Sequence, residues 1–316
     1  MPLDPQIAAV LAQAAAMNSK PLSEMGLSAA RSQLALLCTM GGRSTATLAD
    51  VADRHIDTPG GRLRVRVYRP TGDGPFGVLC FFHGGGFVLG DLNTHDGVCR
   101  QIAADANCVV VAVDYRLAPE HPFPAAVEDC DAAVRWVAAN AEALGGDPAR
   151  LAVGGESAGG NLSAVIAQRM RDHGGPALVA QLLVYPACRL AGEPNPSMLA
   201  NAEGYFLTAA DMEWFLKCYL SDPGEASLIT VSPALAEDFS GLPPALVITA
   251  EFDPLCDDGE DYAAALGKAG VEVTLTRYDG AIHGFWNFFS LLTLGRTAMD
   301  QSTAWLRGRL SGEPVS

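Results

Sequence analysis

The sequence predicts an α/β fold: a mostly parallel, eight-stranded sheet with helices on both faces and further helices at one end. Three observations predict it. From about residue 50 onward, short β-rich runs alternate with segments whose apolar residues recur at helical spacing. The central runs are continuously apolar, as strands covered on both faces must be. Two helical stretches, residues 1–48 and 189–230, interrupt the alternation without supplying a strand. Alternation gives a parallel sheet because each strand has to return to the same end through a crossover helix.

Residues 1–48 are rich in Ala, Leu and Met, and Ile7, Leu11 and Ala14 fall at amphipathic-helix spacing. DRHIDTP (53–59) and LRVRVYRP (63–70) flank Gly60-Gly61, which predicts an antiparallel hairpin at the sheet edge. GVLCFF (77–82) and NCVVVAVDY (107–115) read as central strands, and RLAVGG (150–155), VAQLLVYP (179–186), PALVITAE (244–251) and VEVTLTRY (271–278) continue the series. Between them, residues 125–144, 159–174 and 257–270 carry helical patterns. Residues 189–230 insert a Pro-rich loop and a helix after the sixth strand. With residues 1–48 they are expected to form a lid over a core of residues 49–188 and 231–316.

Of 316 residues, 49% are apolar and 18% charged, ample material for a core. The net charge of −15 argues against nucleic acid or an anionic membrane surface as partner, since both require basic patches. Asp4 precedes the first apolar stretch and the first lysine is Lys20, so the N-terminus lacks the basic region of a secretory signal. No apolar run reaches membrane-spanning length. The eight cysteines are scattered singly with no CxxC pair, which reads as buried thiols. A cytoplasmic location is the expectation.

GGESAGG (154–160) joins the strand RLAVG to a helical segment. It contains G-x-S-x-G, with Gly155, Ser157 and Gly159, in the strand–turn–helix setting of a nucleophile elbow. A sharp turn lifts the Ser157 hydroxyl out of the sheet, and bulk two residues to either side would strike the neighbouring strand and helix. The helix N-terminus then aims the Ala158 N–H at a developing oxyanion. The plainer alternative is a Gly-rich turn capped by serine.

A serine needs a base, and the base an orienting acid. In the chain order Ser, acid, His, only His283 of the six histidines lies downstream of Ser157. Asp253, at the end of PALVITAEF, fits the acid best; Asp257 and Asp258 read as caps of the next helix, and Glu251 as a weaker rival. His83, Gly84, Gly85 and Gly86 follow the strand GVLCFF about seventy residues before Ser157. Backbone N–H groups of Gly84 and Gly85 can approach a carbonyl oxygen because no Cβ intervenes. A phosphate cradle would need a helix opening at once with Lys or Ser/Thr, and a metal site a partner for His83 nearer than His95.

With HGGGF, DYRLAPEHPFPAA (114–126), GESAGG, DPLCDDG and IHGF in order, the sequence resembles the bacterial hormone-sensitive-lipase-like carboxylesterases, family IV of the bacterial esterases and lipases. The resemblance implies an α/β-hydrolase core under a helical cap, with Ser157 as nucleophile, Asp253 as acid and His283 as base. It implies Gly84, Gly85 and Ala158 as oxyanion donors, and His83 as a brace of the glycine loop. Glu156 departs from the Asp or Thr common at that position. The expected substrate is an ester of short to medium acyl chain, with no metal or organic cofactor; many relatives dimerise, which makes a homodimer an expectation. Amide or deacetylase chemistry uses the same machinery. A non-enzymatic receptor, as the plant gibberellin receptors of this fold are, would have lost His283. Met212, Trp214 and Phe215 read either as acyl-pocket lining or as packing.

Overall fold

The computed structural model describes residues 2–16 and 20–312. Parts of the expected lid (residues 1 and 17–19) and the last four residues of the expected core lie outside the described residues. In chain order the elements are α1 (Pro5–Ala16), α2 (Leu27–Gly41), β1 (Asp50–Thr58), β2 (Gly61–Arg69), β3 (Phe76–Phe82), α3 (Asp96–Asp105), β4 (Val109–Val113), α4 (Ala125–Asn140), β5 (Gly146–Glu156), α5 (Ala158–Asp172), β6 (Ala180–Val184), α6 (Pro196–Ala200), α7 (Ala209–Tyr219), β7 (Ala245–Phe252), α8 (Cys256–Lys268), β8 (Val273–Ile282) and α9 (Thr293–Leu310).

Among the described residues, eight strands form one sheet in the order β1-β2-β4-β3-β5-β6-β7-β8. The β1–β2 hairpin pairs Thr58 with Gly61 across its turn, and β2 runs antiparallel to β4. All remaining neighbours are parallel. The carboxyl ends of β3, β5, β7 and β8 therefore emerge at one end of the sheet, where α/β folds place their ligands.

The pleat sorts the core. Val78, Cys80 and Phe82 of β3 enter an apolar cluster with Val127, Leu162 and Tyr262, and thus with α4, α5 and α8. Leu79 and Phe81 point the other way, into a cluster with Ile7, Val98 and Met299 from α1, α3 and α9. α3 and α9 were not picked out by sequence pattern. α9 contains two glycines and several Thr and Ser residues, weak helix formers, and is held by packing of Ala298, Met299, Leu306 and Leu310. All eight cysteines are free, seven of them buried. Among the described residues no helix is long and apolar enough to cross a membrane.

Residues 20–41 and the 189–230 insertion add no strand, and they meet each other. The Ser23 N–H donates to Asp211 Oδ1 at 2.8 Å, joining the segment before α2 to the first turn of α7. The other carboxylate oxygen, Asp211 Oδ2, accepts the Thr208 N–H while Thr208 Oγ1 accepts the Asp211 N–H, a capping box. Arg31 of α2 donates to the Val88 and Ala118 carbonyls and pairs with Glu120, so α2 is tied to the glycine loop's continuation. Asp211→Ala should cost about 1–3 kcal/mol of unfolding free energy, because one truncation leaves the Ser23 N–H without its acceptor and removes the carboxylate half of the α7 capping box. Urea denaturation checks this; a loss below 0.5 kcal/mol, on the order of a surface substitution, would mean the junction is held elsewhere.

Candidate active site

Ser157 sits at the end of β5 with φ 56° and ψ −119°, a positive φ that a non-glycine residue adopts only under local constraint. The constraint is visible on both sides. A Cβ on Gly155 would lie 2.3 Å from the Phe82 carbonyl oxygen, and one on Gly159 would lie 1.9 Å from the same atom. The two glycines let the elbow press directly against the end of β3. The helix begins at Ala158, one residue earlier than the sequence pattern marks it.

His283 leaves the end of β8, which runs on through Ile282 rather than stopping at Tyr278. Its Nε2 lies 3.0 Å from Ser157 Oγ, and its Nδ1 lies 2.7 Å from Asp253 Oδ2. Asp253 is the first residue after β7 and is fully buried; its other oxygen accepts the Leu255 N–H at 2.9 Å. The three side chains thus form one hydrogen-bonded line, with the Ser157 hydroxyl the member that reaches open space. Burial opposes charging of His283, but the Asp253 carboxylate outweighs it, with Glu156 adding to the same effect, and the imidazole pKa lies above its ordinary 6.5.

Asp257 and Asp258 do not cap α8, whose N-cap is Leu255. They point outward instead. Asp257 accepts the Ser197 N–H at 2.7 Å, while Asp258 accepts the Arg189 N–H and the Asn195 side chain, each at 2.9 Å. Both carboxylates anchor the insertion. Glu251 accepts the Gly280 N–H and stays outside the triad line.

The glycine loop corrects one assignment. Gly84 N–H donates to Glu156 Oε1 at 2.6 Å, so it is committed and does not face the Ser157 hydroxyl's surroundings as a donor. The N–H groups of Gly85, Gly86 and Ala158 have no hydrogen-bond partner among the described residues. Of the donors expected from the sequence, Gly84 is thus engaged by Glu156, while Gly85 and Ala158 are not engaged. His83 is buried, stacks between His95 and Tyr115, and donates from Nδ1 to the Gly84 carbonyl. Burial lowers its pKa to about 4, which keeps the ring neutral. The Tyr115 hydroxyl donates to the His83 carbonyl at 2.7 Å, so the DYRLAPEHPFPAA segment supports this loop from below.

His95 is the functional neighbour that pattern reading missed. The sequence offers it as one of six candidate bases and as a distant metal ligand, yet its Nε2 donates to Glu156 Oε1 at 3.0 Å. Nothing local in the sequence marks a contact spanning sixty-one residues. Tyr185, with φ 33°, was also missed; its ring packs 4.5 Å from His283. Among the described residues no group of three or more His, Cys, Asp or Glu side chains is placed to hold a metal ion. Phe215 of α7 lies over the loop, since a Cβ on Gly86 would fall 2.3 Å from its ring.

A family model described as the alpha/beta hydrolase fold matches residues 79–287, which include every residue of this site. The chain belongs to the alpha/beta hydrolases. Among the alpha/beta hydrolases it is similar to the carboxylic ester hydrolase LipN of Mycobacterium tuberculosis, 47% identical over 83% of this chain and 71% of LipN. The carboxylesterase NlhH of the same organism is 47% identical over 78% of this chain and 79% of its own. A hyperthermophilic esterase from the archaeon Pyrobaculum calidifontis superposes with a TM-score of 0.92 at 45% identity, covering 97% of this chain and 98% of the other. The match extends to the hormone-sensitive-lipase-like branch that the motifs indicated.

Gly159→Ala should destabilise this alpha/beta hydrolase by at least about 3 kcal/mol, the upper range for overpacking, because the clash is with backbone that cannot rotate away. The check is urea denaturation at an unchanged m-value. A change under 1 kcal/mol would mean that β3 and the elbow can separate.

Proposed function

We propose that the protein is a serine carboxylesterase that hydrolyses esters of short to medium acyl chain through an acyl-enzyme. The observation that carries this reading is the unbroken line from Asp253 through His283 to Ser157, set beside three unengaged backbone donors. The names of the similar proteins, carboxylic ester hydrolase and carboxylesterase, support the ester as the substrate class. We assign residues 1–48 and 189–230 to a helical cap over a catalytic core of 49–188 and 231–316; the Ser23–Asp211 bond and the seat of Phe215 on Gly86 support that division.

Ser157 Oγ attacks the acyl carbon while His283 Nε2 takes its proton. Negative charge collects on the former carbonyl oxygen, where Gly85 and Gly86 in the loop after β3 and Ala158 at the start of α5 donate from fixed backbone. Asp253 holds His283 with Nε2 toward the serine and stabilises the imidazolium that forms. His283 returns the proton to the alkoxide leaving group, and the alcohol departs. Water, deprotonated by the same imidazole, attacks the acyl-serine; collapse of the second tetrahedral species frees the carboxylic acid and restores Ser157. Every proton has a stated carrier, so the cycle needs no metal or organic cofactor.

Ser157→Ala should lower kcat for p-nitrophenyl butyrate by about 10⁶-fold with unchanged circular dichroism; retained turnover would sink the assignment. The pH profile gives a second check. His283 works as a base only when neutral, and its pKa is raised above 6.5. Activity should be full above that pKa and fall as pH drops through it, so the acid limb of kcat/KM should lie above pH 6.5. Asp253→Asn removes the carboxylate that raises it; the limb should move to lower pH and kcat should fall by about 10⁴-fold. An unmoved limb would mean another group controls the titration.

A further inference from the structure

We infer that Glu156 is a positioning residue, whose carboxylate fixes the distance between the oxyanion donors and the nucleophile by holding the Gly84 N–H. The inference rests on the proposed ester hydrolysis and deepens it. Glu156 is bonded through the chain to Ser157, and Gly84 is bonded through the chain to Gly85. A single hydrogen bond of 2.6 Å between Glu156 Oε1 and the Gly84 N–H therefore links the two halves of the site, one residue back from each reacting group.

The carboxylate is placed for this, with the side chains of Asn287 and Tyr185 also beside it. Glu156 is buried at the end of β5, with no arginine or lysine salt bridge. A buried carboxylate survives only where donors converge on it. On Oε1 the donors are the Gly84 N–H and His95 Nε2. His95 stands just before α3 with Nδ1 2.8 Å from Thr94 Oγ1, so the imidazole is anchored on its far side. Gly84 has no room for another arrangement: a Cβ there would lie 2.1 Å from Glu156 Oε1. The loop is thus clamped on both sides of the His83–Gly84 peptide, by Tyr115 on the His83 carbonyl and by Glu156 on the Gly84 N–H. Gly85 and Gly86 extend from that clamp toward the serine.

A purely structural role would lower stability without sorting the kinetic constants. A positioning role acts on the oxyanion, which exists only after attack, so it lowers kcat and spares KM. Three variants of the full chain separate the roles: Glu156→Ala, Glu156→Met, which keeps the volume without the acceptor and stands in should alanine not fold, and Glu156→Gln, which keeps an acceptor for Gly84. Each is assayed for p-nitrophenyl butyrate turnover and for hydrogen–deuterium exchange of peptides covering residues 83–90. The Ala and Met variants should lose about 10- to 100-fold in kcat, the scale of a displaced or missing donor, with KM within about twofold. Their 83–90 peptides should exchange at least about tenfold faster while peptides from β6 and β7 stay protected. The Gln variant should stay within about fivefold of the native kcat. The inference is overturned if exchange at 83–90 is unchanged in Ala and Met, if KM rises as kcat falls, or if Gln is as impaired as Ala. Should the native chain hydrolyse no ester, the esterase reading fails, and the exchange measurement still decides whether Glu156 clamps the loop.

Discussion

The contact on which the rest of the site depends is backbone against backbone: the elbow after β5 resting on the Phe82 carbonyl at the end of β3. Gly155 and Gly159 both face that oxygen, at positions where any side chain would overlap it. Because β3 and β5 are direct parallel neighbours, with Phe82 opposite Gly155, the contact fixes where each strand releases its chain. One releases the glycine loop and the other releases Ser157. Closeness of the Ser157 hydroxyl and the glycine-loop N–H groups is thus a property of sheet register, and side chains refine it afterwards.

The electrostatics follow from what that closeness encloses. Asp253 and Glu156 are both buried, and His283 lies within the field of both. Their two carboxylates are satisfied differently. Asp253 spends one oxygen on the imidazole and one on the Leu255 N–H, so its strength goes into orienting the base. Glu156 spends its Oε1 on Gly84 and His95, so its strength goes into the loop. Burial works against its ionisation, yet its His95 partner, with the field of His283, keeps its pKa below the ordinary value. The net charge of −15 has little bearing on this, since the site's charges are arranged locally and shielded from the surface ones.

What the sequence disclosed and what it hid divide along a physical line. Strands, most crossover helices and the residues of the Asp253–His283–Ser157 line were legible because each is set by local spacing or chain order: Gly155 and Gly159 around Ser157, and Asp253 and His283 at strand ends. The hydrogen bonds that span the fold were not. Asp257 and Asp258 have the composition of helix caps, but their acceptors are taken by Arg189, Asn195 and Ser197 across the molecule. Likewise His95 has no local pattern that pairs it with Glu156. The engagement of Gly84 was hidden for the same reason, for only the position of Glu156 tells which glycine N–H is already taken.

The triplet Gly84-Gly85-Gly86 shows why a run of identical residues resists assignment of separate roles. Each glycine is required by a different neighbour. At Gly84 a Cβ would displace the Glu156 carboxylate; at Gly85, with φ 114°, it would meet the Leu89 carbonyl oxygen at 2.3 Å; at Gly86, with φ 62°, it would enter the Phe215 ring. The first contact belongs to the elbow, the second to the loop's own turn, and the third to the insertion above it. The loop is therefore gripped by the core, by itself and by the helices over the site, while the Gly85 and Gly86 N–H groups keep no partner among the described residues. That combination, rigid backbone with unspent donors, is what stabilises an oxyanion without reorganisation when charge appears, and a side chain at any of the three positions would have forced the loop away from the neighbour that holds it.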